Sequence, residues 1–226
     1  MLAIIKKEVK SYFLSPIGYV FIGLFLAMCS IFFYLDTIAY GSIQFEYMFY
    51  SAATILTFII PILTMRMFAE ERKTGTEQLL LTSPISMTSI VLGKFLAAVI
   101  VMIITEIFCG MYLIILSCFG APHILTAITT LFGFLLLSMC YISFGMFASS
   151  ITENQIIAGV ITIAFFVITW FLPNFNEALS SFSFINMFDK FPSGLIAIEE
   201  IVIFVSFTIL CILLTMIVLQ RRKSVK

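Results

Sequence analysis

Six long apolar runs organise the chain: Ile17–Leu35, Tyr47–Phe68, Phe95–Cys118, Leu125–Ser149, Ile156–Leu172 and Ile201–Leu219. Each approaches the ~20 apolar residues that carry a helix across the hydrocarbon of a bilayer. The pattern therefore predicts an all-α membrane protein with six transmembrane helices. Pro61, inside the second run, predicts a kink because it removes a backbone donor. Ahead of the first run, Leu2, Ile5, Val9, Tyr12 and Phe13 share one face at helical spacing, with Lys7, Glu8, Lys10 and Ser11 opposite. That is an N-terminal amphipathic helix over residues 1–14, lying in the membrane interface. The first run is longer than a signal-peptide core and no small-x-small site closes it, so it reads as a retained span.

Between the fifth and sixth runs, residues 173–200 carry phenylalanines at 175, 182, 184, 188 and 191 with few charges. This is neither a solvated loop nor a span. An external interfacial or re-entrant hairpin before the last helix fits it, provided its backbone is buried in protein. With a hydrophobic content of 62%, 11% charged residues and a mean hydropathy of +1.18, the 226 residues read as one polytopic membrane domain with no separate soluble enzyme.

The formal net charge of zero hides an asymmetry. With six spans, Lys6, Lys7, Lys10, Arg66, Arg72, Lys73, Lys94, Arg221, Arg222, Lys223 and Lys226 fall on one side and only Lys190 on the other. The positive-inside rule then puts both termini and the 66–94 loop in the cytoplasm, and five or seven spans would break the pattern. Cys29, Cys109, Cys118, Cys140 and Cys211 all lie in apolar runs without C-x-x-C spacing, so they read as packing or lipid-facing residues.

The polar interruption from Arg66 to Lys94 is the informative one. Thr74-Gly75-Thr76-Glu77 has capping-box spacing, Leu79, Leu80 and Leu81 follow, and Pro84 ends the segment. A short capped helix with a leucine ridge at the membrane surface is what a protein partner can grip. Ser86 or Thr88 can cap the third span. The chain carries no G-x-x-x-x-G-K-[ST], G-x-S-x-G or H-E-x-x-H. Its one histidine, His123, follows Pro122 in a short external turn with no second metal ligand at suitable spacing. No catalytic residue, metal, cofactor or nucleic-acid partner is expected of this chain itself.

Four stretches resemble the ABC-2 type permeases, the membrane subunits of ATP-binding-cassette transporters. They are residues 4–20 (IIKKEVKSYFLSPIGYV), residues 68–86 (FAEERKTGTEQLLLTSPIS) with Val91-Leu92-Gly93-Lys94, Ala148–Gln155, and Phe188-Asp189-Lys190-Phe191 with Ser193-Gly194 and the ending Leu219-Gln220-Arg221-Arg222. The likeness covers essentially the whole chain and is greatest in the small six-helix branch with the gliding-motility and nitrous-oxide-reductase-maturation permeases. It implies that the 66–94 loop holds a coupling helix for a separate cytoplasmic ATPase, which would bind the ATP and magnesium. The docking element would be Glu70, Glu71, Gly75, Thr76, Glu77, Leu79, Leu80 and Pro84, with Glu153 and Asn154 in a second, smaller contact. It also implies a second permease copy or paralogue, a bacterial cytoplasmic membrane, and ATP-driven rocking of helices. Few fixed charges inside favour an amphipathic or apolar substrate that is exported or extracted.

Glu106 has no counterpart in what the resemblance implies. It lies twelve residues past Lys94, about 18 Å deeper at ~1.5 Å per residue and close to mid-membrane. A bare carboxylate there is costly, so the acid is protonated, hydrogen-bonded or facing a wet pathway. Thr57, Thr64, Ser138, Ser143 and Thr162 are the hydroxyls expected to answer it. Two other classes remain open from sequence: a secondary transporter, which needs ionisable pairs at mid-membrane, and a membrane scaffold or immunity protein that binds without transport. An ATPase reading frame beside this one would separate the permease reading from both.

Overall fold

In the computed structural model, which describes residues 1–39, 41, 44–78, 86–175 and 182–225, every regular element is helical. The helices are α1 (Leu2–Leu14), α2 (Pro16–Phe32, continued by a π-helical turn over Phe33–Ile38), α3 (Tyr47–Thr64), α4 (Ala69–Lys73), α5 (Met87–Ser117), α6 (Ile124–Ile151), α7 (Gln155–Phe175), α8 (Phe184–Phe188) and α9 (Ile198–Val225). Six stretches among the described residues are long and apolar enough to span: Pro16–Ile38, Tyr47–Lys73, Met87–Ser117, Ile124–Ile151, Gln155–Asn174 and Ile198–Lys223. All six predicted runs are there, and the chain is a multi-pass membrane protein.

The largest shift is in the third span, which starts at Met87 rather than Phe95. Ser86 sets that start: its backbone is extended and its hydroxyl accepts from the Ser89 amide. At 31 residues α5 is about 46 Å long, well beyond a ~30 Å hydrocarbon core, so it carries Lys94 inside a helix rather than in a loop. Pro61 sits within α3 as expected, and its own carbonyl still accepts from the Met65 amide at 2.8 Å.

The enclosed centre is α6, with 67% of its spanning window buried against 22% for the last span. Small residues let neighbours approach it: a Cβ on Gly145 would collide with Thr64 Oγ1, and one on Gly133 would collide with the Phe191 ring. Tyr141 stacks on Phe166 of α7 at 3.8 Å and receives the Thr57 hydroxyl of α3 at 3.4 Å. At the other end of α6, the segment before α9 packs as a short helix and turn. Phe184, Phe188 and Phe191 are buried against Phe166, Phe134 and Phe204, whereas Phe182 is exposed. Cys29, Cys109, Cys140 and Cys211 are buried packing residues, Cys118 is exposed, and all five are free.

Candidate functional site

Following the topology, one end of the bundle collects α1, the turn after α3, α4, the start of α5, the α6–α7 turn and the end of α9. The polar segment from Arg66 to Gln78 is knotted into it. Phe68 and Ala69 amides both donate to Ser149 Oγ at 3.1 Å, and that hydroxyl donates to the Met65 carbonyl. Arg72 donates to the Ser150 carbonyl at 2.5 Å. Arg222 donates to the Ile151 carbonyl at 3.1 Å and lies 3.8 Å from the Glu77 carboxylate, which also pairs with Arg72 at 3.4 Å. Arg72 of α4 and Arg222 of α9 thus meet on Glu77, and both also bond the end of α6.

The capping expectation for Thr74 needs correcting. Its hydroxyl donates to the Glu70 and Glu71 carbonyls at 2.9 and 3.3 Å, closing the helix before it rather than opening the next. The Glu77 carboxylate goes to arginines, not back to Thr74. Gly75 makes the reversal, with φ of +74°, which costs glycine no steric penalty.

Lys94 is buried, its side chain only 2% exposed, and holds Glu71 at 2.7 Å and Glu8 at 3.3 Å, with its ammonium 5.4 Å from the Phe68 ring centre. Sequence alone puts Lys94 in a solvated loop and Glu8 on the outward polar face of α1; both assignments are corrected. Glu8 shares its face with Ile4 and Tyr12, at i, i+4 and i+8, and that face packs on α5, where a Cβ on Gly93 would meet Ile4 at 2.7 Å. Leu2 lies outside this contact and is exposed. The signals are present in the chain: the four-residue spacing for Glu8, and apolar neighbours on both sides of Lys94. Arg66 forms a two-pronged pair with Glu70. These charges surround a cavity of about 290 Å³ beside Tyr12, whose hydroxyl is pushed above the usual tyrosine range by burial and then by Glu8.

A second cleft of about 380 Å³ lies between Lys73 and the turn Glu153-Asn154-Gln155-Ile156. Asn154 accepts the Ile156 amide at 2.9 Å and so starts α7. Glu70, Glu71, Gly75, Thr76 and Glu77 therefore share one end of the bundle with Glu153 and Asn154. Leu79, Leu80 and Pro84 lie outside the described residues. No cluster of three or more metal-ligating side chains occurs among the described residues, and His123 is an exposed residue ahead of α6.

Glu106 stands apart from this end. It is 8% exposed, and its Oε1 has no hydrogen-bond partner among the described residues. The hydroxyls expected to answer it are engaged elsewhere. Thr64, Ser138, Ser143 and Thr162 bond backbone carbonyls of their own helices, and Thr57 bonds Tyr141.

A family model described as an ABC-2 family transporter protein matches residues 40–219, most of the chain. No curated protein matches it.

Proposed function

The chain belongs to the ABC-2 transporter family, and on that premise we propose that it works with a separate cytoplasmic ATPase through the end built on Glu77 and Lys94. As a member it is a permease domain, the transmembrane component of an ABC transporter. The observation that carries the finer reading is the convergence of the Arg66–Gln78 segment and the Glu153–Asn154 turn, tied by Arg72 to Ser150 and by Arg222 to Ile151. Two sequence stretches that the family resemblance assigns to ATPase contact thereby form one braced surface. A force applied there reaches α1, α5, α6 and α9 through hydrogen bonds and ion pairs rather than through a floppy loop.

The eleven basic residues on this side support a cytoplasmic orientation under the positive-inside rule. Two copies, or this chain with a paralogue, would enclose a pathway, and ATP-driven closure of the two surfaces would rock the helices. The membrane would be the cytoplasmic membrane of a bacterium. An interior with few fixed charges suits export or extraction of an amphipathic or apolar molecule. The chemistry of phosphate transfer stays in the partner, which supplies ATP and magnesium.

The test is Leu80→Asp in the chain co-expressed with its ATPase. A charge forced into an apolar groove costs more than the roughly 2–7 kcal/mol of an unbonded neutral polar group, so ATPase co-purification and turnover should fall while insertion in the membrane is retained. An unchanged complex with unchanged turnover would remove this loop from coupling.

A further inference from the structure

α2 and α5 touch along a polar seam that runs from the bundle's far end to Glu106. Beyond its outer end Asp36, in the π-helical turn, accepts the Ser51 hydroxyl of α3 at 2.7 Å. Inward, Tyr112 Oη lies 2.7 Å from Ser30 Oγ and donates to the Leu26 carbonyl at 3.1 Å, with the Phe33 ring 4.9 Å away. One turn deeper lie the buried, free thiols of Cys29 on α2 and Cys109 on α5, and Glu106 follows one turn below Cys109. Tyr112, Cys109 and Glu106, spaced by three, follow one another along α5, each turned about 60° from the last.

Nothing in the seam answers the acid. α1, α2, α6 and α9 pack against α5, and α1, with its lysines, meets it at Gly93 and Lys94, more than three turns from Glu106. α2 and α6 carry no Lys or Arg, and those of α9 lie in its last turns. Lys94, on α5 itself, lies twelve residues away and is held by two carboxylates. A membrane-buried carboxyl with an unpartnered oxygen is open to a hydrogen-bond donor, because its desolvation is offset only when a partner arrives. The seam beside it is held by the hydrogen bonds of Tyr112 to Ser30 and Leu26, and a π-helical turn at its mouth is a place where a helix adjusts. Ser30 is exposed at that mouth, and Ile103 and Ile107, flanking Glu106, are exposed on the outer side of α5.

From this geometry we infer that the α2–α5 seam is a binding site for the ammonium head of a single-chain amphipathic amine, with Glu106 as its acceptor. The head enters at Ser30 and Tyr112, passes the two thiols and stops on Glu106, while the tail lies along Ile103 and Ile107 in the bilayer. The inference rests on the permease reading and deepens it by naming a substrate class. Its test needs no ATPase, so the two readings fail independently.

The purified chain in phosphatidylcholine nanodiscs is titrated with a fluorescent dodecylammonium probe and with the uncharged dodecyl alcohol analogue. A charge-assisted hydrogen bond to Glu106 should make the ammonium probe about tenfold or more the tighter ligand. Glu106→Gln should abolish that preference. Equal affinities in the parent, or a preference that survives in Glu106→Gln, overturn the site. Methylamine, the same head without a tail, should not displace the probe; displacement would overturn the amphipathic class. If the glutamine variant fails to assemble, the parent still decides. A hydrophobic carbodiimide should add to Glu106, read by peptide mass, and the ammonium probe should block it. Labelling that the probe does not reduce overturns the proposal.

Discussion

Lys94 and Glu106 lie twelve residues apart on α5, are both buried, and differ in almost everything else. Lys94 sits at the end of the bundle where the charges gather, with two carboxylates and a ring around its ammonium. Glu106 sits in the span with an oxygen that nothing among the described residues answers. Burying either charge costs several kcal/mol before partners are counted, about 2.5–3.5 even on lenient membrane scales. In Lys94 that cost is offset inside the chain, so the group holds structure together. In Glu106 it is left standing, as expected where a group waits for a ligand. Burial therefore says less about a charge than who meets it.

The comparison breaks most visibly at Lys94. Lys94→Met removes the cation, leaves Glu8 with Lys7 alone and strands Glu71, one oxygen of which is already unpartnered among the described residues. Breaking such a pair costs about 3–5 kcal/mol. The purified variant should melt well below the parent in detergent, and Lys94→Met combined with Glu71→Gln should recover part of the loss. A single variant as stable as the parent would make the network ornamental. Next in size is Gly93→Ala, whose Cβ meets Ile4 at 2.7 Å, a β-branched side chain with little room to turn. Overpacking of this kind costs ~1–3 kcal/mol. It should lift α1 off α5, so a cysteine introduced in place of the half-buried Val9, with Ile4 kept, should gain maleimide reactivity. Unchanged reactivity would mean that α1 is not seated through that contact.

Much of this can be read without coordinates, and the parts that cannot share a cause. The six spans follow from apolar run length, which is a one-dimensional property. Run length misplaces the start of α5 because it treats Lys94 as a boundary marker. A cation ends a span only when water meets it, and here Glu8 and Glu71 meet it instead. Capping-box spacing assigns Thr74 to the helix after it, because spacing does not say which of two adjacent helices a hydroxyl serves. The Arg222–Glu77 contact joins residues 145 positions apart, and no local spacing encodes it. The isolation of Glu106 is legible in the sequence as a question but not as an answer, since its hydroxyl partners have to be seen bonding elsewhere.

The comparison sharpens when the acid is replaced. Glu106→Leu fills the same space without a polar group to desolvate, and exchanging buried polar groups for apolar ones of similar volume is often neutral or stabilising, by about 1–4 kcal/mol where whole ion pairs are exchanged. For one acid already lacking a partner the gain should be at the low end or near zero. The melting temperature should hold or rise while selective binding of the ammonium probe disappears. A marked drop would mean that Glu106 has a structural partner after all, and would place it with Lys94.

Asp189 is the intermediate case and carries the smallest expected effect. It lies outside the spans in the turn after α8, half-buried, where its own carbonyl accepts from Ser193 at 3.2 Å and Tyr50 at 3.4 Å. Burial pushes its carboxyl from the ordinary 3.8 up to about 6. The folded state thus holds this proton more tightly than the unfolded chain does. Between about 4 and 6 the folded form binds more protons, so the contribution of Asp189 to stability falls as pH rises through that window and is flat above it. An asparagine in its place cannot ionise and escapes the loss. The Asp189→Asn variant should therefore gain on the parent between pH 4.5 and pH 7.5, by no more than about 2–4 °C in melting temperature, since solvent screens a half-exposed group. Taking the difference between the two proteins at each pH cancels the other titrating groups, including the neighbouring Lys190–Glu200 pair. A gap that does not widen with pH would mean that water reaches the Asp189 carboxyl freely, which would leave Glu106 as the acid in this fold to be tested for an unmet burial cost.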